Sequence, residues 1–157
     1  MKRQTGFTLI ELMVVIAILG ILSATAVGFL AKYRQRTIGS EALVMMKQLL
    51  EGEIIYYLAH NEFFPSNADS GDIDVWHSGG GTSAANQQRA LDALKVAIPT
   101  GHLLDFNIKR GIDDPATGSK VYVAITSSGG FRLFPNAPNG IWGTVDKTGK
   151  INAPIPF

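Results

Sequence analysis

The chain of 157 residues has no cysteine, which rules out structural disulfides, a thiol nucleophile and thiolate metal ligands, so any globular part must hold together by packing. Histidine is scarce, and His60, His77 and His102 are scattered, none at a metal-ligand spacing from another. Neither a G-x-S-x-G elbow nor a phosphate-binding loop occurs, because the glycine runs lack the serine or lysine that such chemistry requires. An enzyme is therefore not expected, and no cofactor is implied. Charge of one sign is also missing: 14 Lys and Arg stand against 13 Asp and Glu, and the basic residues are dispersed, which argues against a nucleic-acid surface. Proline is absent before Pro65, so nothing in the first 64 residues interrupts a helix.

One further absence organises the chain. From Leu12 to Ala31 there is no charged residue for 20 positions, and a helix of that length spans roughly 30 Å, the thickness of a bilayer's hydrocarbon core. What precedes this run is unlike a secretory signal peptide, in which a short apolar core is followed by a small-residue cleavage site. Here Lys2 and Arg3 are followed by the small residue Gly6 before the apolar run begins, and a cut beside Gly6 would leave the apolar helix on the mature chain. Positive charge flanks both ends, with Lys2 and Arg3 on one side and Lys32, Arg34 and Arg36 on the other, so the positive-inside rule gives no orientation.

A single acid, Glu11, sits inside the N-terminal edge of the rod, four residues after Phe7. Cleavage after Gly6 would create an α-amino group on Phe7, and this cation and the Glu11 carboxylate would be the two charges at the head of an apolar helix. Pairing offsets much of the cost of burying either alone. Glu11 in the first turn also meets the positive end of the helix dipole, for about 0.3–1 kcal/mol. The alternative is that Glu11 only snorkels to the headgroups of a single-pass anchor.

The segment GFTLIELMVVIAILGILSA resembles the type IV prepilin family, whose short basic leaders end in Gly before a Phe and place a Glu at the fifth mature position. The resemblance implies cleavage between Gly6 and Phe7, N-methylation of Phe7, and a docking role for Glu11. It also implies a prepilin peptidase that methylates as well as cleaves, an assembly platform and ATPase, and a cytoplasmic N-terminus. Pilins of this family commonly carry a proline near the position of Gly28, and this chain departs from them there. Gly20 and Gly28 are read either as soft points or, with Ser23, Ala24 and Ala26, as close-packing positions.

Apolar positions continue at helical spacing beyond the rod. Ile38, Ala42, Met45, Leu49, Gly52, Tyr56 and Ala59 follow one seam, flanked by Leu43, Met46, Leu50, Ile54 and Tyr57, while Lys47, Gln48, Glu51 and His60 lie away from it. This is an amphipathic helix with one face on a head, Met45 and Met46 serving as core, Gly39 being its weakest point and Pro65 closing the reading. Residues 65–83 read as an exposed loop ending in Gly79, Gly80 and Gly81, and Ser83 as the cap of a short helix from Ala84 to Ala97. That helix would bury Leu91, Leu94 and Ile98 and stop at Pro99. Beyond Pro115 the period alternates: KVYVAIT over 120–126 with Val121, Val123 and Ile125 on one face, a turn at Ser128, Gly129 and Gly130 into FRLF, and a strand over Ile141–Val145. A hairpin loop at Asp146, Lys147, Thr148 and Gly149 follows, and Pro154 and Pro156 confine the tail to an edge.

The expected architecture is α+β, a long N-terminal helix packed on a small antiparallel sheet. Residues 1–6 form a leader, 7–62 the helix with 7–31 as its membrane and assembly segment, and 63–157 the head, with a variable region over 63–118 and the sheet over 119–157. The resemblance implies a filament subunit that polymerises with itself, stored in the inner membrane and then assembled into an extracellular pilus. The alternatives are a pseudopilin of a type II secretion system in the periplasm and, from another class, a signal-anchored periplasmic binding domain. Asp69, Asp72 and Asp74 could share a calcium ion or form a solvated acidic loop, and their spacing fails the EF-hand pattern. Asp113 and Asp114 are a second calcium candidate, because secretion pseudopilins of this superfamily can bind the ion in the sheet region.

Overall fold

The computed structural model describes residues 6–66, 71–77, 83–101, 103–111, 119–128, 132–134 and 139–156, with side chains described as far as Asn152. The elements follow the order α1 (Leu9–His60), β1 (Ile73–Val75), α2 (Ser83–Leu94), β2 (Leu104–Arg110), β3 (Lys120–Ser127), β4 (Gly140–Asp146) and β5 (Ile151–Pro156). Contacts divide the chain into two units, Met1–Arg34 and Gln35–Phe157.

The first unit is helical from Leu9 and uncovered. Its large apolar side chains are exposed, and Phe7, Ile10, Ile16, Ile21, Val27 and Leu30 are among those more than half exposed. The apolar window of α1 is long enough to cross a membrane, and none of it is buried by the chain itself. Its few hydroxyls are already satisfied: Ser23 Oγ donates to the Leu19 carbonyl at 2.7 Å and Thr25 Oγ1 to that of Leu22 at 2.9 Å. A helix whose polar groups are bonded internally and whose side chains are apolar is suited to lipid or to a protein core, not to water. Helical structure runs through Gly20 and Gly28.

In the second unit, α1 buries Gly39, Ala42, Met45, Met46, Leu49, Leu50, Gly52 and Glu53, a stripe at the spacing expected. The stripe is narrower than expected: Leu43 and Ala59 are exposed, because the sheet covers only the face that carries residues 42, 46, 49 and 53. The helix ends before Pro65 is reached, at Asn61, which takes a left-handed φ of 57° and returns its N–H to the Tyr57 carbonyl at 2.7 Å.

The sheet is an antiparallel meander in the order β1-β2-β3-β4-β5, so the proline-bearing β5 is an edge strand, the position to which its missing N–H donors confine it. Alternation decides the faces. Leu104, Phe106 and Ile108 of β2 and Val121, Val123 and Ile125 of β3 are buried against the helix, with Phe106 opposite Ile125 and Ile125 opposite Ile141. Ile108, Val123 and Gly143 form the adjacent row, and a Cβ on Gly143 would lie 2.9 Å from Leu50 Cδ1 and 3.2 Å from Met46 Sδ. That missing side chain lets α1 sit down on the sheet. Asp146 closes the β4–β5 hairpin: its Oδ1 accepts the N–H of Thr148 at 2.9 Å and of Lys150 at 3.2 Å and the Thr148 hydroxyl at 2.5 Å. Gly149 supplies the left-handed φ of 77° in that turn.

Several expectations are corrected. The 65–83 stretch holds β1, whose Ile73 and Val75 are fully buried, and β1 and β2 both precede residue 119, so the sheet is not confined to 119–157. The short helix ends at Leu94 instead of Ala97, because Lys95 turns left-handed at φ 59°, and Ala90 replaces the exposed Leu91 on its inner face. Arg132, Leu133 and Phe134 are not a strand. Leu133 is buried, and its carbonyl stands 2.8 Å from where a Gly39 Cβ would be, so Gly39 is a contact point, not a weak one. Gly79, Gly80, Gly81, Gly129 and Gly130 lie outside the described residues.

Candidate assembly site at the helix start

Phe7 is 79% exposed and precedes the first helical turn. Thr8 and Glu11 fasten that turn reciprocally. Glu11 Oε2 accepts the Thr8 N–H and the Thr8 hydroxyl, each at 2.8 Å, and Thr8 Oγ1 accepts the Glu11 N–H at 3.3 Å. This is a capping box, in which a threonine at the cap and a glutamate three residues on satisfy each other's orphan donors. Thr8 was not among the expected site residues, although its spacing from Glu11 carries that signature. Phe7, Ile10, Glu11, Val14 and Val15 line one shallow apolar recess, so the only acid of the segment borders a surface with nothing else polar.

Residues 1–27 match the family model of the prokaryotic N-terminal methylation motif. The type IV major pilin protein PilE1 of Neisseria gonorrhoeae is 29% identical over 136 residues, 86% of this chain and 77% of its own length. The chain carries this motif and is similar to type IV pilins, most strongly over its N-terminal part. A fimbrial protein of Neisseria meningitidis serogroup A is 44% identical over 68 residues, 43% of this chain and 40% of the relative. The type IV major pilin protein PilA of Myxococcus xanthus is 45% identical over 62 residues, 40% of this chain and 25% of its own. In these two the match spans less than half of the relative's length. No solved structure matches significantly.

In the head, only two of the expected calcium ligands, Asp72 and Asp74, fall among the described residues. Asp69, Asp113 and Asp114 lie outside the described residues. Asp72 forms an ion pair with Lys109 at 2.9 Å, which raises the pKa of that lysine, and Asp74 Oδ1 accepts the Asn107 amide. Among the described residues no three carboxylates or histidines converge on a point.

A serine, a histidine and an aspartate do meet. Ser128 Oγ lies 2.6 Å from His77 Nδ1, and Asp105 Oδ1 lies 3.6 Å from that same nitrogen while accepting the His77 backbone N–H at 2.8 Å. In a nucleophilic triad the serine and the carboxylate hold opposite ring nitrogens, so that the proton crosses the imidazole. Here both stand nearest to Nδ1, Ser128 Oγ being 3.4 Å from Nε2, and the group instead ties the segment after β1 to the start of β2 and the end of β3.

The residue least visible from the sequence is Glu53. It is completely buried, its Oε2 accepts the Phe64 N–H at 3.0 Å, and its Oε1 is buried without a partner among the described residues. Burial pushes the carboxyl well above its ordinary value, the Phe64 hydrogen bond opposing this only in part. A glutamate on the helical seam therefore fastens the end of α1 to the segment that follows it.

Proposed function

We propose that this protein is the structural subunit of a type IV pilus-like filament. It is made as a precursor, cleaved between Gly6 and Phe7, methylated on Phe7, held in the inner membrane by α1 and then polymerised through that helix into an extracellular fibre. The observation that carries this reading is the uncovered apolar segment headed by a single carboxylate, in a chain whose relatives are named major pilins and fimbrial proteins. An isolated rod of this kind is stable only in lipid or against copies of itself, and transfer from one to the other costs no exposure of apolar surface to water. The peptidase, the platform and the ATPase belong to the same proposal.

Mass spectrometry of assembled material tests the processing step. The expected N-terminus is methylated Phe7, and an intact Met1 in filaments overturns it. Glu11→Val tests the assembly step: the variant should insert into membrane normally and lose filament growth. Normal filaments from cells making only that variant would reject the role of Glu11.

A further inference from the structure

The face of the sheet turned away from α1 carries a recess of about 400 Å³ that the assembly role does not use. It arises from one small residue. Asp74, Asn107, Ala124 and Trp142 form a single cross-strand row, and Ala124 leaves a gap between its larger neighbours. Trp76 walls the recess and is 47% exposed, a large amount of indole to leave in water. Asp105 and Thr126, paired across β2 and β3, complete the lining.

The lining sets two carboxylates, Asp74 and Asp105, against one cation, Lys109. Asp105 is only 13% exposed and spends Oδ1 on the His77 N–H, and Asp74 spends Oδ1 on Asn107, so the second oxygen of each, and the Asn107 carbonyl, receive no hydrogen bond from the described residues. Lys109 also lines the recess; its ammonium is held 2.9 Å from Asp72, which is not part of the lining, and it lies near enough to Asp74 to interact with its charge. Neither Asp74 nor Asp105 forms an ion pair with a lysine or arginine among the described residues. A partly buried carboxylate beside an exposed indole is complementary to an organic cation, which gains from both the charge and the ring face. A bare metal ion would need convergent oxygens and would leave the indole wall and alanine floor unused.

We propose that this recess is a binding site for a small free organic cation, an ammonium or guanidinium group on a short apolar stem, with Asp74 and Asp105 receiving its N–H donors and Trp76 its face. The probe is agmatine, titrated calorimetrically into the full-length protein in detergent micelles. N-butylurea serves as the neutral analogue, maltose as a hydroxyl-rich one and a short arginine peptide as the polymeric one. The expected result is saturable binding of agmatine at one site, weakened by salt, with no heat from N-butylurea or maltose. Asp105→Asn should weaken it about tenfold and Trp76→Ala about threefold or more, while the distant Lys147→Gln leaves it unchanged. Should Asp105→Asn fail to fold, Asp74→Asn and the recess-filling Ala124→Leu carry the same test. Absence of saturable agmatine binding, equal binding of N-butylurea or maltose, or binding confined to the peptide would overturn the proposal. So would agmatine affinity unchanged in all the recess variants.

Discussion

Glu53 makes the stability of the head depend on pH in a direction opposite to that of most carboxylates. In the unfolded chain it titrates near its ordinary value of 4.5, whereas in the native head burial holds the proton on to well above that. Below the ordinary value both states are protonated and the head has its full stability. As pH rises past it, the unfolded state loses the proton while the native state keeps it. Unfolding is then favoured by about 1.4 kcal/mol for each pH unit, until the native carboxyl ionises as well. Glu53→Gln removes the titration and keeps an amide oxygen for the Phe64 N–H. Near pH 4 the variant should match the parent to within about 1 kcal/mol, and it should become progressively more stable than the parent toward neutrality. Glu53→Ala lacks the acceptor and leaves a buried N–H orphaned, a loss of about 1–3 kcal/mol before the cavity is counted. The assay is urea unfolding of the detergent-solubilised chain from pH 4 to 8, followed by tryptophan fluorescence. Parallel pH profiles for parent and Glu53→Gln would refute the reasoning, since they would mean that Glu53 titrates alike folded and unfolded.

Other perturbations have equally specific outcomes. Gly143→Val places methyl groups where Leu50 and Met46 already stand and should cost about 1–3 kcal/mol, read as a lowered urea midpoint. Asp146 is held below its usual range, first by the Thr148 hydroxyl, so its stabilising effect is present above the ordinary value of 3.8 and fades as acid drives pH down through the native one. Asp146→Asn should therefore flatten the acid limb of thermal melting, and an unchanged acid limb would count against the turn's role. Thr8→Ala removes half of the capping box and should weaken the start of α1 by about 1 kcal/mol, measurable as faster amide exchange over the first turn in micelles.

What could be read from the sequence was whatever has a strong period or a strong absence. The uncharged run to Ala31, the alternation of Val121, Val123 and Ile125, and the Asp146–Gly149 hairpin each rest on several residues that agree. β1 is three residues long, too short for a period to declare itself. β2 alternates cleanly through Leu104, Phe106 and Ile108, but Asp105, Asn107 and Lys109 between them are poor strand formers, and its stability comes from lying between two partners. Glu53 was invisible because a glutamate beside an apolar seam ordinarily faces water, and only the tertiary fold removes the water. At the candidate assembly site, Gly6, Phe7 and Glu11 stood out through a pattern of residue types, whereas Thr8 needed its spacing to Glu11 to be weighed as a cap.

That cap bears on how one carboxylate could serve both a single helix and a filament. If Glu11 had to abandon Thr8 to meet the α-amine of a neighbouring Phe7, assembly would forfeit the hydrogen bonds of the first turn in surroundings where no water replaces them. Both Thr8 contacts fall on Oε2, however, and Oε1 accepts nothing from the described residues. On the proposed reading Oε2 keeps the helix started while Oε1 is the oxygen offered to the incoming amine. An opposite charge about 4 Å away at an effective dielectric near 20 attracts by about 4 kcal/mol before desolvation is subtracted. The two variants should then separate. Thr8→Ala leaves the attracting oxygens in place and should slow filament growth without abolishing it, whereas Glu11→Val removes both functions together. Equal loss in the two would mean that the cap, not the charge, is what assembly requires.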